Sequence, residues 1–144
     1  MNEQHYLTPL FEPRSVAIIG ATERENSLGN VLGRNMLEAG FKGKLFAVNP
    51  KSDQVFGVPC YKSVEDIPQR LDLVVITTKA DRVPAIVDAC GRAGTKAAVV
   101  IPSGFADAGP RGKMLEKNTV ENARRHRIRL LGPNSMGMLL PGQG

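Results

Sequence analysis

Five nearly continuous apolar runs constrain this chain most: residues 16–19, 44–48, 71–77, 96–101 and 128–131. Each is short, rich in Val, Ile, Leu and Ala, and ends at Gly, Pro, Asn or Thr. Strands buried on both faces read this way, because neither face needs polar side chains. Between the runs stand stretches with apolar residues at three- and four-residue steps. Leu28, Val31, Leu32, Met36 and Ala39 mark a helix over 28–39, with Gly40 as its C-cap. Val83, Ile86, Val87 and Cys90 mark another, with Asp81 as the expected cap and Gly91 or Gly94 as its close. Met114, Leu115, Val120 and Ala123 predict a further helix over 112–125. Alternation of this kind argues an α/β fold: a Rossmann-like, doubly wound, parallel five-stranded sheet with helices on both faces. The expected strand order is 3-2-1-4-5, the third strand being residues 71–77. Residues 52–63 read as irregular, with Gly57 and Pro59 as breakers, and Ser63 starts a short turn. Residues 1–14 read as a lead-in, with Leu10 and Phe11 packing on the sheet edge.

The length of 144 residues suits one domain over 1–144. The tail 138–144 closes on turn residues, so the domain is expected to be the N-terminal fragment of a longer protein. No apolar run approaches the roughly 20 residues of a membrane span, and no signal peptide opens the chain. A cytoplasmic location follows as an expectation, with Cys60 and Cys90 as free thiols in no metal-binding spacing. The net charge of +5 suits an anionic ligand. With aromatic residues at 5% and no Trp, a stacking platform for nucleic acid is not expected.

Ligands on doubly wound sheets bind at the carboxyl ends of the strands. Five segments meet there: Gly20-Ala21-Thr22, Asn49-Pro50-Lys51, Thr77-Thr78-Lys79, Pro102-Ser103-Gly104 and Gly132-Pro133-Asn134. They are small, hydroxylic, amide or cationic, and none places a carboxylate at the strand end. Thr22 and Ser27 precede the first helix, whose N-terminus offers free N–H groups and a positive dipole end. The combination is a docking ledge for a phosphate-bearing ligand rather than an acid–base pair. Two ligand classes fit. The first loop is not GxGxxG, and Lys51 stands near the end of strand two where a dinucleotide site places Asp or Glu. A ribose phosphate would suit Lys51, so NADP and coenzyme A both remain open.

Ser15-Val-Ala-Ile-Ile-Gly-Ala-Thr22, Val48-Asn-Pro-Lys51, Gly57-Val-Pro-Cys-Tyr-Lys-Ser-Val64, Asp72-Leu-Val-Val-Ile76, Ser103-Gly-Phe105 and Leu130-Leu-Gly-Pro-Asn-Ser-Met-Gly137 carry a family resemblance. The chain resembles the N-terminal CoA-binding domain of NDP-forming acyl-CoA synthetases, the domain that also opens the alpha subunit of succinyl-CoA synthetase. The likeness runs from about Leu7 to the C-terminus. It implies CoA or acyl-CoA as ligand, with Gly20, Ala21, Thr22 and Ser27 along the phosphates. Lys51 would approach the 3′-phosphate or adenosine end. Thr77, Thr78, Lys79, Pro102, Ser103 and Gly104 would flank the nucleotide or pantetheine arm. Asn134 and Ser135 would sit near the thiol; the family often has Cys at the position of Ser135. His5 and His126 match no phosphate-carrying histidine of the family, and the ATP-grasp domain is absent. The chain alone is therefore not expected to be catalytic, and its partners would be the missing ligase and ATP-grasp domains. The ending Gly132 to Gly144 also resembles a branch of protein lysine acetyltransferases that carry a fused GNAT domain. The alternatives are an NADP-dependent oxidoreductase domain and a stand-alone CoA-binding regulator. The run Arg124-Arg-His-Arg-Ile-Arg129 reads as a solvated helix end that suits the helix dipole.

Overall fold

The structure, a computed structural model, describes residues 8–25, 27–52, 54–102, 104–105, 108–132 and 138–139. A short helix α1 (Thr8–Phe11) leads into β1 (Ser15–Ile19), whose five residues are all buried. There follow α2 (Leu28–Glu38), β2 (Lys44–Val48), β3 (Gln54–Val55) and β4 (Val58–Tyr61). A 3-10 turn (Val64–Asp66) precedes β5 (Leu73–Ile76), and another (Ala80–Arg82) precedes α3 (Val83–Arg92). Then come β6 (Ala97–Val100), α4 (Pro110–Arg125), β7 (Arg129–Leu131) and β8 (Met138–Leu139). The side chains of Leu10 and Phe11 lie outside what the structure describes.

The fold is the expected Rossmann-like α/β arrangement, with a larger and mostly parallel sheet. Eight strands run in the order β3-β4-β2-β1-β5-β6-β7-β8, not five. Residues 71–77 do not lie beyond strand two, as expected. Their core β5 pairs directly with β1, Ala17 opposite Val74 and Ile19 opposite Ile76. The outer place belongs to β4, parallel to β2 with Val48 opposite Tyr61. Numbered as parallel strands in chain order, the sheet reads 3-2-1-4-5-6, so the segment filling the third place was the error. Residues 52–63 hold a hairpin: β3 and β4 are antiparallel, with Val55 opposite Val58. Its two-residue turn is Phe56-Gly57, both with positive φ (57° and 74°), the geometry that matches strand twist in a tight hairpin. At the other edge, β8 adds antiparallel to β7 where no strand was expected.

Side chains alternate across the sheet. Ala17, Ile19, Val74, Ile76, Ala98 and Val100 face one layer with Val83, Val87 and Cys90 of α3 and Ala123 of α4. Val16 and Ile18 face the other layer, with Leu32 and Met36 of α2 packed there. The stripe expected for α4 is corrected at one end. Met114 is 56% exposed, whereas Leu115, Val120 and Ala123 pack inward as expected, joined by buried Gly112 and Thr119. Asp81 does not cap α3; it lies in the preceding 3-10 turn, and Arg82 is the N-cap, with no side-chain hydrogen bond. Among the described residues, no helix is long and apolar enough to cross a membrane.

Candidate functional site

The register makes the carboxyl ends level. Ile19 stands opposite both Val48 and Ile76, and Ile76 opposite Val100. The loops after β1, β2 and β5 therefore emerge side by side. Gly20 turns the chain out of β1 with φ 95°. A Cβ there would lie 2.5 Å from Thr77 Oγ1 and 3.2 Å from Thr78 Cγ2, so only glycine lets the two strand ends approach this closely. Thr77 secures the approach: its N–H and its hydroxyl both donate to the Ile19 carbonyl, at 2.9 Å each. Ala21, fully buried, offers its carbonyl to Asn49 Nδ2 at 2.9 Å. Asn49 Oδ1 in turn accepts the Lys51 N–H at 2.9 Å, an Asx turn that fixes the path over Pro50.

Helix α2 starts where the sequence placed it. Ser27 is its N-cap and accepts the Asn30 N–H at 3.2 Å, while its own hydroxyl donates to the Arg24 carbonyl. Its side chain is thus committed to the helix start. Thr22 Oγ1 accepts the Arg24 N–H at 3.1 Å. Gly29 does in this loop what a fingerprint glycine does in a dinucleotide site: a side chain there would collide with the Gly20 carbonyl. It stands nine positions after Gly20 rather than within a GxGxxG, which makes the loop longer.

A cleft of about 590 Å³ opens at this edge. Its inner wall is apolar, from Ile19, Val48, Val64, Ala85, Ile86 and Ala89. Gly20, Asn49, Pro50, Lys51 and Thr78, all expected site residues, line it. Sequence reasoning missed Lys62, Ser63, Asp81 and Arg82, which also line it. Lys51, Lys62 and Arg82 are exposed and make no ion pair among the described residues. Asp81 brings a carboxylate to an edge that was expected to be free of them. Lys62 is found only once β4 is placed beside β2, and Arg82 only once α3 starts at Val83. Among the described residues, two buried polar atoms near this edge have no hydrogen-bond partner: Thr78 Oγ1 and Asn30 Nδ2. Such orphans are rare in a finished interior and common where a ligand completes the bonding.

Thr77 is absorbed in the turn, as described. Lys79 and Gly104 line a separate hollow of about 300 Å³ with Arg111 at the start of α4. Pro102 is half-buried just past β6. Ser103, Asn134 and Ser135 lie outside the described residues.

A family model described as "CoA binding domain" matches residues 14–141. This chain belongs to the CoA-binding domain family. It is 45% identical over 130 residues to acetate–CoA ligase [ADP-forming] I of Archaeoglobus fulgidus, covering 90% of this chain and 19% of that protein. Against acetate–CoA ligase [ADP-forming] I subunit alpha of Pyrococcus furiosus the identity is 40%, covering 92% of this chain and 30% of the subunit. Among solved structures, dinucleotide forming acetyl-coenzyme A synthetase 1 of Ca. Korarchaeum cryptofilum, in complex with phosphate and ADP, superposes with a TM-score of 0.84 at 41% identity. That match covers 89% of this chain and 27% of the synthetase chain. The chain thus spans less than a third of each of these relatives.

Proposed function

We propose that this domain binds coenzyme A or acyl-CoA along the carboxyl edge of its sheet, as the CoA-binding module of an NDP-forming acyl-CoA synthetase. The observation that carries the reading is the cleft: an apolar slot at the carboxyl ends of β1, β2 and β5, rimmed by three cations that make no ion pair among the described residues. An adenosine ring suits the slot, and its ribose phosphate suits the rim. Lys51 is the first candidate for that phosphate. The diphosphate would lie over Gly20, Ala21 and Thr22, where the α2 N–H groups that Ser27 leaves free and the positive end of the dipole point. The pantetheine arm would then pass Thr78 toward Lys79 and the segment Pro102-Ser103-Gly104, with Asn134 and Ser135 at the thiol end. The domain binds and orients, and the acyl chemistry belongs to ligase and ATP-grasp domains elsewhere in the protein. Acetate is the proposed acid, by likeness to the relatives. A parent with a fused GNAT domain, or a regulator that only senses CoA, would use the same cleft. A cytoplasmic setting is part of this proposal.

Calorimetric titration of the chain with CoA, acetyl-CoA and NADPH, side by side, tests the reading. Heat from the two CoA species and none from NADPH is the expected result. NADPH binding alone would overturn it and make Lys51 a 2′-phosphate ligand.

A further inference from the structure

At the opposite edge of the sheet, where the strands begin, lies a second concavity of about 730 Å³. Arg14, Lys42, Lys44 and Arg70 line it, over Pro13 and Phe41. The one carboxylate in its lining, Asp72, is already engaged. It accepts the Arg14 N–H at 2.8 Å and stands 3.6 Å from Lys96 Nζ. Among the described residues, Arg14, Lys42 and Arg70 make no ion pair, and Lys44 Nζ reaches only the neutral Gln69 Oε1, at 3.5 Å. Two arginines outside the groove are paired, Arg92 with Glu65 and Asp88, and Arg125 with Asp88. The groove therefore concentrates charge that the fold leaves uncompensated.

The groove is also built. Gly43 has no room for a side chain, which would strike the Arg14 carbonyl and the Phe41 ring. That close contact lets the Lys44 N–H donate to the Arg14 carbonyl at 2.9 Å, setting the two cationic residues side by side. Arg70 lays its stem across Gly94, where an added Cβ would stand 3.1 Å from Cδ. Cations whose backbone or stem is held lose less freedom on binding a partner.

We propose that this groove docks an acidic segment of polypeptide, three or four residues long, from a neighbouring domain or subunit of the larger protein. Crossing the starts of β2, β1 and β5, it spans two inter-strand steps of about 4.8 Å, the reach of such a segment when extended. Two guanidinium forks match carboxylates. Asp72 in the lining disfavours densely charged polyphosphate, whereas a peptide can space its carboxylates around it. The relatives place this kind of domain within chains more than three times the matched length, so another stretch of polypeptide is at hand. The proposal rests on that membership and not on what fills the cleft at the far edge.

Fluorescence polarisation with labelled hexaglutamate, at low ionic strength, tests it. Lys42→Glu with Arg70→Glu should weaken binding by at least about tenfold, since each change places like charge against the peptide. Lys117→Glu with Arg124→Glu, an equal charge change on exposed positions of α4, should cost less than about twofold. Thermal melts of both double variants check that they fold. Equal losses in the two variants would mean diffuse attraction and would overturn the proposal, as would absence of peptide binding by the native chain. Tighter binding of an oligothymidylate, with the same dependence on Lys42 and Arg70, would overturn it in favour of nucleic acid.

Discussion

Gly20→Ala probes the turn on which the candidate site depends. Three terms set its magnitude. An alanine held at φ 95° is strained by about 1–2 kcal/mol. Its Cβ would sit 2.5 Å from Thr77 Oγ1, so the hydroxyl must move and its 2.9 Å bond to the Ile19 carbonyl is lost, about 0.5–1.5 kcal/mol. Against these, alanine restricts the unfolded chain and returns about 0.4–1 kcal/mol. The net loss is about 0.5–3 kcal/mol, at its upper end a large share of the roughly 5–15 kcal/mol that holds a domain folded. Urea unfolding followed by circular dichroism measures it, read as a fall in midpoint at constant slope. The same substitution in a Thr77→Ala background meets no hydroxyl, so it should cost about 1 kcal/mol less there. Equal costs in the two backgrounds would refute the collision, and an unchanged midpoint in both would refute the strain as well.

Lys51→Ala should weaken CoA by about three- to tenfold while leaving dephospho-CoA nearly unchanged, the range for one exposed charge-assisted contact; equal losses in calorimetry would detach Lys51 from the ribose phosphate. Burial pushes the Cys90 thiol up to about 12, so it should resist alkylation at neutral pH until the chain is unfolded; mass spectrometry of the native protein after brief labelling reads this directly. The hydrogen bond to His126, 2.7 Å away, holds the Asp88 carboxyl below its usual range, with Arg92 and Arg125 adding to it. A lowered folded pKa stabilises fully above the unfolded value near 3.9 and loses its effect as pH falls through the folded value. Asp88→Asn should therefore flatten the acid limb of a stability profile below about pH 4; chemical unfolding across that range decides it.

How far the sequence could be read depended on whether a residue's neighbours were local. The bounds expected for the second strand and the start of the first helix coincide with β2 and α2, because both rest on apolar runs and on Ser27. The outer hairpin escaped because β3 has only two residues and β4 contains Pro59, so neither has the continuous apolar signature. That omission moved residues 71–77 to the wrong place and hid Lys62 from the site. Gly20, Asn49, Pro50, Lys51 and Thr78 were legible because strand ends converge wherever the sheet is parallel. Asp81 and Arg82 were not: the chain bends through a 3-10 turn before α3, and only that bend turns them to the cleft.

The tip of the outer hairpin joins three positions that are far apart in the chain. Phe56 holds a backbone conformation that bulky residues avoid, with φ 57°. Its N–H donates to Glu23 Oε1 at 3.1 Å, and its ring rests against α2 where Gly33 has no side chain. Glu23 belongs to the loop after β1. A side chain at 33 would strike the ring, so it becomes tolerable only after the aromatic at 56 has gone. A smaller residue at 56 would keep that N–H and its bond to Glu23, but would uncover the face of α2 at Gly33. In descent, then, residues 33 and 56 should be inherited as a pair, and the order in which they can be exchanged is constrained: 56 first, 33 after it.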